Sequence, residues 1–230
     1  MNNSFNRLSL GHCGRALSLT AMGLLVAFSF KADGAVIISP TGVISNTVGN
    51  ESSSFGIGNT IDQSGLSITF VSGLTDYSAY ISSRPEHEGV APVPSFWLSP
   101  QGSTTGTIVY DLGGVYRIER AVMWHGGGEA PERNVNGISL ATSLNATFTT
   151  SQTAGDFNVF GFAPPYNLND FDLTDTTGRY VRLTINSNYG SENYTKFGEI
   201  AFAVSAIPEP SSLLLLGGAA GLTLGRRKRV

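Results

Sequence analysis

The sequence predicts an all-β, antiparallel domain, a sandwich or barrel, set between two targeting segments. Three observations carry this. Period-two alternation of apolar residues recurs through the middle of the 230-residue chain. Gly, Asn and Pro clusters punctuate it at short intervals. No stretch between residues 36 and 206 has the 3.6-residue period of an amphipathic helix.

In chain order, residues 1–35 read as a secretory signal peptide. Arg7 and Arg15 give a basic start, Ala16 to Phe30 an apolar run, and Ala32-Asp33-Gly34-Ala35 a small-residue cleavage region. Cys13, the only cysteine, lies before the apolar run, so it is not a lipidation site, and the exported chain has neither disulfide nor thiolate chemistry.

The domain spans residues 36–206. Ile108, Tyr110 and Leu112 form one alternating stripe, and Ile118, Val122 and Trp124 the next. Val181, Leu183 and Ile185, then Ile200, Phe202 and Val204, repeat the pattern. Further strands are expected at 36–44, 66–71, 96–98, 138–144, 146–150 and 158–162, with turns at Gly113-Gly114, Gly126-Gly127-Gly128, Asn136-Gly137, Pro164-Pro165 and Thr177-Gly178. Of 14 Lys and Arg, 7 fall between residues 36 and 207, against 15 Asp and Glu, a net charge of −8 for this region. A body this acidic repels nucleic acid and anionic membrane surfaces, and suits divalent cations or neutral glycans.

The chain closes with Pro208-Glu209-Pro210, an apolar run from Leu213 to Gly225, and the cations Arg226, Arg227, Lys228 and Arg229. Physically this is a rigid linker, a short membrane helix and a cytoplasmic stop. Order and spacing closely resemble the PEP-CTERM sorting signal over residues 207–230. The resemblance implies recognition and cleavage by an exosortase, a transient stay in the inner membrane, and a Gram-negative source that makes exopolysaccharide.

Three segments between about residues 55 and 205 resemble the discoidin-type, galactose-binding-like family, in order. They are Gly106-Thr107-Ile108-Val109-Tyr110-Asp111-Leu112-Gly113, Gly178-Arg179-Tyr180-Val181-Arg182-Leu183 and Phe197-Gly198-Glu199-Ile200-Ala201-Phe202. A Ser-x-Asp-Gly-x-x-Trp segment of that family is absent after Ser139–Ser143. The resemblance implies a jelly-roll β-sandwich and a structural calcium. It assigns Asp62, in a turn-rich loop, and Glu199, on the closing strand, as the carboxylate ligands.

Glycan binding is the second candidate chemistry. His125, Tyr166, Tyr189 and Tyr194 are expected on loops, where aromatic faces and polar edges suit a sugar ring. Trp97 and Trp124 are alternatives, but Trp124 sits on an alternating strand and reads as core. His125 opens a Gly-rich loop and reads as exposed. Its His-Gly-Gly-Gly run is like an esterase oxyanion loop, but no Gly-x-Ser-x-Gly elbow accompanies it. Glu86-His87-Glu88 and Asp170, Asp172, Asp175 read as solvated loops; the latter lack the Gly and terminal Glu of an EF-hand.

The expected function is an exported, non-catalytic surface or matrix protein that binds or organises exopolysaccharide. The alternative is a purely structural biofilm or adhesion protein without a sugar site. A secreted glycan-active hydrolase is the third reading.

Overall fold

The computed structural model describes residues 34–87, 94–126, 130–161 and 166–207. Residues 1–33 of the expected signal peptide, the sorting residues Pro208, Glu209, Pro210, Arg226, Arg227, Lys228 and Arg229, the Pro164-Pro165 turn and Gly127-Gly128 lie outside the described residues. The strands are β1 (Val36–Ile38), β2 (Gly42–Asn46), β3 (Glu86–His87), β4 (Trp97–Leu98), β5 (Gly106–Trp124), β6 (Val135–Ser143), β7 (Gln152–Asn158), β8 (Tyr166–Asn167), β9 (Asn169–Asn188), β10 (Lys196–Phe197) and β11 (Glu199–Ala206). One six-residue helix, α1 (Tyr77–Ser82), precedes β3. The main sheet runs β1-β11-β5-β9-β6-β7, with β2 also on β5, and every pairing in it is antiparallel.

The long strands β5 and β9 turn this sheet into a sandwich. Their ladder runs Gly106↔Ile185 to Asp111↔Tyr180, then resumes at Tyr116↔Gly178. Across that break β5 advances from Asp111 to Tyr116 while β9 retreats only from Tyr180 to Gly178. The surplus on β5 is a wide bulge that bends both strands. Gly113, at φ 80°, sits in it, and a Cβ there would lie 2.7 Å from Thr41 Cγ2. Gly178 lets the facing strand approach, since its Cβ would lie 3.0 Å from Thr142 Cβ. Gly113-Gly114 and Thr177-Gly178, expected to end strands, instead bend continuous ones.

The bend folds one half of the sheet over the other. Ile108, Tyr110, Leu183 and Leu140 from one half join Ile118, Met123, Phe171 and Phe202 from the other in a single core. Burial of each such side chain contributes about 1.5–3 kcal/mol. A second bulge, where β5 pairs Ile118 with Val204 and Arg120 with Ala203 of β11 and so leaves Glu119 unpaired, reverses the facing of the residues that follow. Val122 and Trp124 therefore leave the Ile118 stripe. They pack on the opposite face with Ile37, Ala201, Ala203, Phe70, Tyr77 and Tyr80.

That outer face is covered by the 66–81 segment and α1. Residues 66–71 pair only through Leu66↔His87 and form no strand. Their side chains serve as a lid: Phe70 and Tyr80 meet edge to face at 5.1 Å. Asp76 caps α1, its Oδ1 accepting from Ala79 N at 2.8 Å. A helix this short carries no periodic signal, which is why the sequence pattern missed it. Residues 146–150 are likewise a turn, with Phe148 at φ 54°, and the strand falls at β7. Asn136-Gly137 lies inside β6 as a register shift rather than a turn.

Candidate functional site

Because β5 and β9 are bent near their middles, their four ends gather at the pole away from Gly113 and Gly178. There lie the loops after Trp124, Asn158 and Asn188, and the start of β11 at Glu199. Gly198 N donates to Trp124 O at 2.8 Å and Tyr189 N to Asn134 O at 3.1 Å, tying these loops together. The topology thus brings His125, Tyr166, Tyr189, Tyr194 and Glu199 to one end of the sandwich.

The structure buries two of them. His125 and Tyr166 are each 1% exposed, contrary to the expected exposed loop start. The 159–161 segment closes over the ring: a Cβ on Gly161 would lie 3.3 Å from His125 Cδ2. His125 meets Tyr166 and Tyr189 edge-on, each at 6.1 Å between centroids. Burial pushes the imidazole down to about 4, the Val159 backbone offsetting this in part and Lys196 adding to it, so the ring is neutral at physiological pH. Beyond the Val159 backbone, neither ring nitrogen meets a hydrogen-bond partner. The cluster is a pillar beneath the surface, and Tyr189 hangs the covering loop from it, its hydroxyl donating to Val159 O at 2.7 Å.

Besides half-buried Tyr189, two further aromatic groups reach the surface. The Arg133 guanidinium lies 4.5 Å from the centroid of the half-buried Tyr194 ring. No carboxylate among the described residues pairs with Arg133. The second is Phe160, 71% exposed. Buried Asn169 clamps its backbone from both sides: Phe160 N donates to Oδ1 and Nδ2 donates to Phe160 O, both at 2.7 Å. An exposed aromatic held this firmly is a preformed contact point. Its residues read as a strand in the sequence, which hid it; Gly161, set between Phe160 and Phe162, was the available signal.

Asp62 and Glu199 converge. Glu199 is fully buried, and its Oε2 accepts from Gln63 N at 3.0 Å. Burial, then the charge of Asp62, drives its carboxyl well above the usual carboxylate range, with the Gln63 N–H opposing. Glu199 Oε1 and the buried Ser64 Oγ have no hydrogen-bond partner. Asp62 Oδ1 holds the turn by accepting from Ser64 N at 2.8 Å. Two carboxylates and an unused hydroxyl match the all-oxygen preference of calcium. No group of three or more His, Cys, Asp or Glu side chains forms a metal cluster among the described residues. Further ligands would therefore be neutral oxygens.

His87 seats this corner. It is 1% exposed, within hydrogen-bond range of Ser95 O at 3.1 Å, and not in a solvated loop as its acidic neighbours suggest. Cβ atoms on Gly65 and Gly198 would each lie 2.6 Å from its ring, and one on Gly126 3.1 Å. The three acidic residues of 170–175 are also not a loop. They lie on β9, where Asp170 and Asp172 pair with Arg120 and Asp175 with Arg117.

With this geometry in place, the comparisons agree. Residues 80–200, more than half the chain, match the F5/8 type C domain, and the chain belongs to that discoidin-like family. Residues 206–229 match the PEP-CTERM protein-sorting motif. The C-terminal domain of a chitobiase from Bacteroides fragilis is 15% identical, with 75% of this chain and 100% of that one covered at a TM-score of 0.51. A putative chitobiase fragment from Bacteroides thetaiotaomicron is 14% identical, with 76% and 96% covered at a TM-score of 0.52. At such identities the likeness speaks for the fold alone. No curated protein matches the sequence.

Proposed function

We propose that this chain is an exported, non-catalytic glycan-binding protein. A signal peptide at residues 1–35 sends it out, the sandwich of residues 36–206 binds, and the tail of residues 207–230 is processed by an exosortase. The ligand is exopolysaccharide, met at the loop pole, on the cell surface or in the matrix of a Gram-negative bacterium. The observation that carries this reading is the union of a sorting motif with a discoidin-like sandwich whose loop pole displays the clamped Phe160 and the Arg133–Tyr194 pair. The two solved neighbours are pieces of a chitobiase and of a putative chitobiase, and a saccharide ligand is in keeping with those names.

Asp62 and Glu199, with Ser64 Oγ, would hold a structural calcium that neutralises the buried carboxylate pair and fixes the 62–66 turn. Tyr189 and Tyr194 contribute at the surface; His125 and Tyr166 act from below, by supporting the loop that carries Phe160. The burial of those two residues also favours a rival, a purely structural matrix protein. A glycan array and a polysaccharide pull-down, each with and without calcium, separate the two. Retention of a defined glycan supports the binding reading; silence in both assays leaves the structural one.

A further inference from the structure

The chain enters and leaves the sandwich at the pole opposite the loops. Ala206, the last residue of β11, pairs with Tyr116 beside the bend, whereas Glu199, the first, pairs with Trp124 at the loop pole. Val36 pairs with Val204, so the incoming chain arrives at the same end. Eight residues of β11 set the two poles apart by about 25 Å.

The tail then fixes how far this end can stand from a membrane. Only residues 208–212 separate Ile207 from the apolar run that starts at Leu213. Fully extended, they reach at most ~18 Å. The surface at this pole fits such proximity. Val115, 49% exposed, and Leu144, 61% exposed, stand on either side of the bend, and Ile207 is 41% exposed. The charge there is balanced in a chain whose exported region is strongly acidic: residues 111–119 and 175–182 carry Asp111, Glu119 and Asp175 against Arg117, Arg179 and Arg182. Arg117–Asp175 and Arg179–Asp111 are ion pairs. An anionic bilayer does not repel a neutral, partly apolar surface as it does an acidic one.

We infer that, in the uncleaved chain, the Gly113–Gly178 pole seats on the bilayer surface with Val115 and Leu144 at the lipid headgroups, and the Phe160 pole faces away. This rests on the reading of the tail as a membrane anchor. It makes the precursor a spacer that holds its glycan-facing loops clear of the membrane before sorting.

The test uses the full chain in a Cys13→Ser background, reconstituted in phosphatidylethanolamine–phosphatidylglycerol vesicles carrying nitroxide headgroups. A fluorophore is placed at Val115→Cys, Leu144→Cys or Phe160→Cys, with Leu216→Cys, against acyl-chain nitroxide, as the control for tail insertion. The labels at 115 and 144 are expected to lose most of their emission while the label at 160 keeps its own. Equal quenching at all three sites, or stronger quenching at 160, overturns the orientation. So does no quenching at 115 and 144 when the control is quenched. An unquenched control overturns the anchor reading itself, and the orientation with it. None of these outcomes depends on glycan binding.

Discussion

Arg179 grips Asp111 across the β5–β9 ladder through two parallel hydrogen bonds, Nε to Oδ1 at 2.9 Å and Nη2 to Oδ2 at 2.8 Å. The same Oδ1 accepts from Gly113 N at 2.8 Å. One carboxylate thus ties the bulge of β5 to the facing bend of β9. The Asp-Leu-Gly and Arg-Tyr-Val-Arg segments, far apart in sequence, meet here to shape the sandwich.

This pairing predicts an acid-sensitive contribution to stability. The Arg179 hydrogen bonds, helped by Gly113 N–H and opposed by partial burial, hold Asp111 below the usual carboxylate range. A depressed acid stabilises the fold above its unfolded pKa of about 3.9 and loses that stabilisation as pH falls through the folded value. Thermal melts of wild type and Asp111→Asn are therefore expected to differ at pH 7 and to converge as pH falls below the folded value. The effect is modest because Arg179 is solvent-screened. A gap unchanged across that range contradicts the assignment.

Glu199 has the opposite sign. Its carboxyl is raised by burial and by Asp62, so the metal-free fold binds a proton that the unfolded chain releases. Stability in chelator is expected to fall as pH rises from the unfolded value of about 4.3 towards neutrality. Glu199→Gln is expected to flatten that slope and to abolish stabilisation by calcium. Melting temperatures from pH 5 to 8, in chelator and in calcium, check both; a calcium effect that survives the substitution removes Glu199 from the site.

Packing at the same corner gives a third expectation. Gly198→Ala would place a Cβ 2.6 Å from the His87 ring, with backbone of His125 at 2.9 Å behind it. Overpacking of this kind costs about 1–3 kcal/mol. Denaturant unfolding reads it directly, and an unchanged midpoint argues that His87 has room to move.

Phe160 is expected to behave in the reverse way. Its side chain is 71% exposed and its backbone, not its ring, is held by Asn169. Phe160→Ala is expected to shift stability by less than about 0.5 kcal/mol. Asn169→Ala, which frees the loop and leaves Phe160 in place, is expected to lower the melting temperature. Equal losses for both assign the ring a packing role.

The strands were legible because alternation is a local pattern. Ile108, Tyr110 and Leu112 do face one core, and Asp111 between them does face outward. The bends were not legible. Gly113-Gly114 reads as a turn, and only the pairing of Tyr116 with Gly178 reveals a bulge inside one strand. The bulge before Arg120, where Glu119 is left unpaired against β11, defeated the stripe of Ile118, Val122 and Trp124 in the same way, since one unpaired residue changes which face follows. At the site, Asp62 and Glu199 were named from family motifs and do converge. The burial of His125 depends on a loop of residues 159–161, thirty-odd positions away, and no local pattern encodes it.

Affinity electrophoresis of the full chain through gels containing exopolysaccharide tests the central claim most directly. Wild type is expected to be retarded, Phe160→Ala and Arg133→Ala to migrate closer to the polysaccharide-free position, and Leu144→Ala, at the opposite pole, to match wild type. Migration of all four proteins unaffected by the polysaccharide, or equal retardation of all four, contradicts a glycan site at the loop pole.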